Sequence, residues 1–256
     1  MPKLTVVDLQ KMKQIGEKIF VAVCYDFQMA RIAERAGADI LSVGDSVGRT
    51  FWGQPTHWEV TLDQMILVCG AVARGAERAL VTCDMPFGPA QAGVQAGLEA
   101  AIRLVKEGHA EMVKVDNAPA NMDLFRAIVK AGIPVFPQFG FSPQSTLALG
   151  EHGNRTEEMV RQGKTQIVEQ AKMLEAEGAA LLDCTAVTSD VYGAISAAVK
   201  IPVMGGSATH EADGKITNFS YRYESIDHPV PGRPNTAQLV YETAAAFIKR
   251  VKAGDY

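Results

Sequence analysis

The stretch Arg31-Ile32-Ala33-Glu34-Arg35-Ala36-Gly37-Ala38-Asp39-Ile40-Leu41-Ser42-Val43-Gly44-Asp45-Ser46 carries the pattern on which the fold turns. It opens as an amphipathic segment and ends in Ala36-Gly37, glycine supplying the left-handed geometry that closes many helices. Asp39-Ile40-Leu41-Ser42-Val43 then forms a short, mostly apolar run, which reads as a strand buried on both faces. Gly44-Asp45-Ser46 ends the unit with polar and small residues.

Five further units repeat this order without a strict period. Their apolar runs are Arg78-Ala79-Leu80-Val81-Thr82-Cys83, Glu111-Met112-Val113, Ile133-Pro134-Val135-Phe136, Ala180-Leu181-Leu182 and Ile201-Pro202-Val203-Met204. Ahead of all six, Phe20-Val21-Ala22-Val23-Cys24 reads as an opening strand. Strands alternating with helices at this spacing predict a single-domain (β/α)8 barrel spanning residues 1–256, because a parallel sheet needs a helical crossover between neighbours. The eighth strand has a weaker signal, and Lys215-Ile216-Thr217-Asn218-Phe219 is its candidate. Residues 5–14 read as a short extra helix before the first strand. Residues 235–252 read as a closing helix, apolar at Leu239, Ala246, Phe247 and Val251.

Composition narrows the function. The 256 residues are 47% hydrophobic and 21% charged, enough for a large core and too apolar for a disordered chain. A net charge of −4 argues against a nucleic-acid partner, which calls for a basic surface. No apolar run approaches the ~20 residues that cross a bilayer, and the N-terminal residues lack the core of a signal peptide. Cys24, Cys69, Cys83 and Cys184 are scattered, without a C-x-x-C pair, and read as reduced thiols of a cytoplasmic protein.

In such barrels the chemistry sits at the C-terminal ends of the strands. Those ends here carry Asp45, Ser46, Asp84, Lys114, Asp116, Gln138 and Asp183. Carboxylates converging on one mouth repel one another unless a cation lies between them. Oxygen donors without histidine suit Mg²⁺ better than zinc. A single Asp at a strand end is equally well explained as a helix or turn cap. Asp45 and Asp84 together with Lys114 are harder to explain that way, because lysine is a poor N-cap. Strand alternation points Cys83 and Cys184 toward the helices if their neighbours Asp84 and Asp183 face the mouth.

Gly44-Asp45-Ser46-Val47-Gly48 also matches G-x-S-x-G, the nucleophile elbow of α/β-hydrolases. That elbow turns straight into a helix, whereas Arg49-Thr50-Phe51-Trp52-Gly53-Gln54-Pro55 reads as a loop, and no histidine stands out as a triad partner. The five histidines show no metal-ligand spacing; only His57, on the loop after the second strand, lies near the expected mouth.

The chain resembles the ketopantoate hydroxymethyltransferase family, within the phosphoenolpyruvate mutase and isocitrate lyase superfamily of barrels. The resemblance runs through Val23-Cys24-Tyr25-Asp26, Val43-Gly44-Asp45-Ser46-Val47-Gly48, Val60-Thr61-Leu62-Asp63, Asp84-Met85-Pro86-Phe87, Val113-Lys114 and Ser142-Pro143-Gln144-Ser145, in that order. It implies that Asp45 and Asp84 hold Mg²⁺, with Asp116 an acidic neighbour of the metal, and that Ser46 and Lys114 bind substrate. It also implies chelation of the ion by a 2-oxo acid such as 3-methyl-2-oxobutanoate, enolate formation by loss of a C3 proton, and attack on the one-carbon unit of 5,10-methylenetetrahydrofolate. A homo-oligomer is implied as well.

Three departures stand out. The family's catalytic glutamate aligns with Asp183, one carbon shorter, and its substrate-binding histidine aligns with Gln138, which hydrogen-bonds but carries no charge. The turn after the seventh strand reads Met204-Gly205-Gly206-Ser207-Ala208, and the loop at residues 150–155 is short. The metal half of the site is retained and the substrate half altered. Two alternatives stay open: a superfamily lyase or aldolase on another 2-oxo acid, and a paralogue that binds metal and 2-oxo acid without turnover.

Overall fold

The computed structural model describes residues 2–141, 144, 160, 163–226 and 230–255. Residues 150–155 and three residues of the Ser142-Pro143-Gln144-Ser145 stretch (Ser142, Pro143 and Ser145) lie outside the described residues.

Eight parallel strands close into a barrel in chain order: β1 (Ile19–Val23), β2 (Ile40–Val43), β3 (Leu80–Asp84), β4 (Met112–Val115), β5 (Val135–Gly140), β6 (Leu182–Thr185), β7 (Val203–Gly205) and β8 (Gly214–Asn218). β8 returns to β1 with Ile19 opposite Gly214 and Val23 opposite Asn218. The (β/α)8 expectation is thus met. Strand bounds shift by up to four residues from the sequence reading, most at the end of β5, and the eighth strand starts one residue earlier than its candidate.

The helices before residue 142 are α1 (Val6–Gln14), α2 (Phe27–Arg35), α3 (Val47–Phe51), α4 (Leu62–Gly75), α5 (Val94–Lys106) and α6 (Met122–Lys130). After it come α7 (Lys164–Ala176), α8 (Ser189–Ala198), α9 (Phe219–Glu224) and α10 (Thr236–Lys252). Several starts are fixed by side-chain caps. Thr5 and Asp8 form a capping box on α1, Thr61 and Gln64 form one on α4, and the Asp26 carboxylate accepts from the first amides of α2.

Alternation along each strand divides the core in two. Outward residues such as Val81, Cys83, Val113, Phe139 and Cys184 pack under the helices. Inward residues Ile19, Val21, Ile40, Leu80, Met112, Phe136 and Met204 fill the lower barrel. Helix α1 plugs that end with Leu9 and Met12, and Lys13 ties it down through an ion pair to Asp213 at 2.8 Å. With the bottom filled by apolar layers, the inward positions nearer the C-terminal ends are left for polar groups: Asp84, Lys114, Gln138 and Asp183.

One local expectation is corrected. The segment after Ser46 is not simply a loop, because α3 starts at Val47 directly behind it. Buried Val47 and Gly48 hold that turn down, and Gly48 is pressed against Val60 and Gln54. The turn is no hydrolase elbow all the same. Ser46 has unstrained helical angles, φ −58° and ψ −10°, and its hydroxyl meets a tyrosine, not a histidine.

Candidate active site

Adjacent strands bring the polar residues into one cluster by register alone. Asp84 lies opposite Lys114 across β3 and β4, and Gln138 opposite Asp183 across β5 and β6. Asp45 and Asp116 sit just past the ends of β2 and β4. Asp45, Lys114, Asp116, Gln138 and Asp183 are buried, and the Asp84 side chain is 13% exposed.

Lys114 is the hub of the charges. Its Nζ lies 2.6 Å from Asp183 Oδ2 and 3.8 Å from Asp84 Oδ1, with the Phe136 ring beneath it at 5.7 Å. Burial alone would push the ammonium pKa down; Asp183 and Asp84 outweigh that, so the pKa rises above the ordinary lysine value. Asp84 moves the other way. Burial, with Asp45 opposing its charge, lifts it to about 7 although Lys114 pulls it down. Burial raises Asp45, and carries Asp116 to about 7.

The oxygens of the two leading metal candidates divide into held and unheld. Asp45 Oδ2 accepts from the Gln144 side chain at 3.0 Å, and Asp84 Oδ2 accepts from the Asp45 amide at 3.3 Å. Asp84 Oδ1 is buried without a hydrogen bond. Asp45 Oδ1 has His57 Nδ1 at 3.6 Å, too long for a hydrogen bond. Asp116 differs: its Oδ1 accepts from the Asn117 amide at 2.6 Å and its Oδ2 from the Gln144 amide at 2.9 Å.

Among the described residues, no three carboxylate, imidazole or thiol groups converge tightly enough to enclose an ion. Mg²⁺ does not require that. It keeps several waters and is commonly held by one or two carboxylates plus substrate oxygens. A buried Asp84 oxygen that accepts no hydrogen bond, beside a second carboxylate, fits such an open site. Gly44 keeps it open as well, since a Cβ there would lie 2.8 Å from Ser46 Oγ and 3.6 Å from Asp84 Oδ2.

Sequence reasoning missed the partners that hold these groups. Gln138 donates to Thr185 Oγ1 at 2.7 Å. Ser46 Oγ pairs with the Tyr25 hydroxyl at 2.7 Å, which in turn accepts from Asn218 at 2.6 Å. Gln144 stood in a quoted motif without a role. Gln138–Thr185 and Ser46–Tyr25 join neighbouring strands and Asn218–Tyr25 joins the closing pair β8 and β1, so each contact is tertiary and neither spacing nor periodicity signals it.

A parallel barrel with carboxylates and one lysine at its C-terminal mouth defines a class, the (β/α)8 barrels whose polar site sits at the strand ends. The solved structure of 2,3-dimethylmalate lyase, itself a PEP mutase/isocitrate lyase superfamily member, matches with a TM-score of 0.64 over 99% of this chain and 89% of the other, at 16% identity. Phosphonopyruvate hydrolase, solved with oxalate and Mg²⁺, matches with a TM-score of 0.60 over 98% of this chain and 88% of the other, at 12% identity. Identities this low speak for the fold alone. The family follows from sequence: residues 3–256 match the model of ketopantoate hydroxymethyltransferase. The 3-methyl-2-oxobutanoate hydroxymethyltransferase of Flavobacterium johnsoniae is 36% identical over 84% of this chain and 78% of its own length. That of Prosthecochloris aestuarii is 31% identical over all of this chain and 95% of its own. The chain belongs to the ketopantoate hydroxymethyltransferase family, a family of enzymes.

Proposed function

We propose that the protein transfers a hydroxymethyl unit from 5,10-methylenetetrahydrofolate to a 2-oxo acid of the 3-methyl-2-oxobutanoate type, with Mg²⁺ as cofactor. The observation that carries this reading is the meeting of two carboxylates, one oxygen of them without a hydrogen bond, with a lysine–aspartate pair at a buried barrel mouth. Asp45 and Asp84 hold the ion, and Asp116 stands beside it as an acidic neighbour. When bound, Mg²⁺ supplies Lewis-acid polarisation of the 2-oxo acid's oxygens.

The chain's own groups do the rest. Lys114, kept charged by its carboxylate neighbours, offers a fixed cation to the acid's oxygens, and Ser46 and Gln138 add hydrogen bonds that orient it. Asp183 takes the C3 proton through a carboxylate held by Lys114. The low exposure of the cluster strengthens each of these charge interactions, because water screens them little.

The buried free thiols suit a reducing compartment, so a cytoplasmic location is proposed. A homo-oligomer is proposed too, assembled through α10.

Proton exchange at C3 of 3-methyl-2-oxobutanoate, followed by NMR in D₂O, tests the reading without needing the one-carbon donor. Exchange that requires Mg²⁺, stops with EDTA and disappears in Asp183→Ala is expected. Exchange unchanged in Asp183→Ala removes that residue as the base. No exchange with Mg²⁺ present overturns the reading and favours another 2-oxo acid or a binder without turnover.

A further inference from the structure

We infer that Gln144 is a positioning residue that decides which carboxylate oxygens face the metal. The inference rests on the proposed reading of Asp45 and Asp84 as Mg²⁺ ligands. Gln144 is buried, 7% exposed, and it reaches three strand-end segments at once. Its Nε2 donates to Asp45 Oδ2 at 3.0 Å, past the end of β2, and to the Met85 carbonyl at 3.1 Å, past the end of β3. Its backbone N–H donates to Asp116 Oδ2 at 2.9 Å, past the end of β4.

Chemistry fixes the orientation of the amide. Both side-chain partners are acceptors, so only the NH₂ end can face them, and its two N–H groups are both used. A flip would set the amide oxygen against a carboxylate and a carbonyl. Gln144 therefore has a single productive orientation, and Asp45 inherits it.

The consequence falls on the ligands. With Oδ2 of Asp45 held by Gln144, the other oxygen is left toward the mouth. The Asp45 amide meanwhile holds Oδ2 of Asp84, which leaves Oδ1 of Asp84 without a hydrogen bond, 3.8 Å from Lys114 Nζ. Asp116 has its two oxygens engaged by Asn117 and Gln144, which suits a neighbour of the ion better than a direct ligand. Neutral donors do this work without adding charge, so Gln144 separates Asp45 from Asp116 while leaving their negative charge available to a cation. Partners that hydrogen-bond metal-binding carboxylates typically account for about 10–100-fold in metal affinity.

The test is calorimetric titration of Mg²⁺ into the EDTA-stripped full chain, with melting in EDTA as the control. Gln144→Met keeps the volume and removes both donors; Gln144→Asn keeps an amide too short to reach Asp45, and serves if the methionine variant does not fold. A Kd raised by about 10–100-fold in either folded variant, at a melting temperature close to that of the unaltered protein, is the expected result. Mg²⁺ affinity unchanged in a folded variant overturns the inference while leaving the metal site standing, as does a lower melting temperature with unchanged affinity, which marks a packing role alone. Absence of Mg²⁺ binding by the unaltered protein overturns the metal assignment, and this inference with it.

Discussion

Lys114 Nζ and Asp183 Oδ2 lie 2.6 Å apart across the barrel interior, one on β4 and the other on β6, with β5 between them. Both side chains are less than a tenth exposed. In that setting the pair cannot be treated as a surface ion pair of small worth. Removing one member strands the other as a buried charge, at a cost of about 3–5 kcal/mol. Lys114→Met is expected to lose stability on this scale in urea unfolding with EDTA present. Combining it with Asp183→Leu should recover much of the loss, because the stranded carboxylate is gone. A Lys114→Met protein as stable as the parent would show that the two side chains do not share a dry site.

The same pair sets the expectation for catalysis. Asp183→Asn retains the shape of the side chain and abolishes its ability to take a proton. A positioned general base contributes about 10²–10⁴-fold, so C3 exchange should fall by that range while Mg²⁺ affinity, which rests on Asp45 and Asp84, holds. A variant that loses metal binding and exchange together would place Asp183 with the ligands instead.

Much of the site was legible because strand alternation is a strict rule. Once Val81 and Cys83 face the helices, Asp84 must face inward, and the same parity carries Lys114 and Asp183 to one interior. What escaped it depends on closure. Gln144 meets Asp45 across 99 residues and Asn218 meets Tyr25 across 193, and neither pairing leaves a local trace. The eighth strand was faint for a different reason: Lys215, Thr217 and Asn218 are polar, and only Gly214 of its residues is fully buried. Helix α3 was missed because Gly48, Arg49 and Thr50 carry no apolar period, and tertiary contact at Val47 holds the turn.

Protonation should show itself in the metal-free protein. Asp84 and Asp116, with pKa values near 7 in the fold against 3.8 for the ordinary carboxyl, bind more protons folded than unfolded between those limits. Stability therefore falls as pH rises through that window, the reverse of a salt-bridged aspartate. Melting in EDTA should drop from about pH 5 to about pH 8. Saturating Mg²⁺ should flatten or reverse the trend, since the ion binds the deprotonated carboxylates and repays their burial. A melting temperature that climbs over the same range without metal would mean that Lys114 already neutralises the cluster.

Helix α10 calls for a partner on physical grounds. It runs 17 residues, begins at the Asn235 cap, and buries none of its side chains in the single chain. Leu239, Val240, Phe247 and Ile248 are each more than half exposed. Apolar residues so concentrated on one element mark an interface more often than a free surface. The proposed partner is a second copy of this chain. Light scattering coupled to size exclusion should find an assembly larger than one chain. Leu239→Glu with Phe247→Glu should shift it toward the single chain, by setting carboxylates in an apolar contact. Because the barrel core does not depend on α10, the dissociated variant should keep its far-ultraviolet circular dichroism. A parent protein that elutes as a single chain at high concentration would leave these side chains in water and refute the assembly.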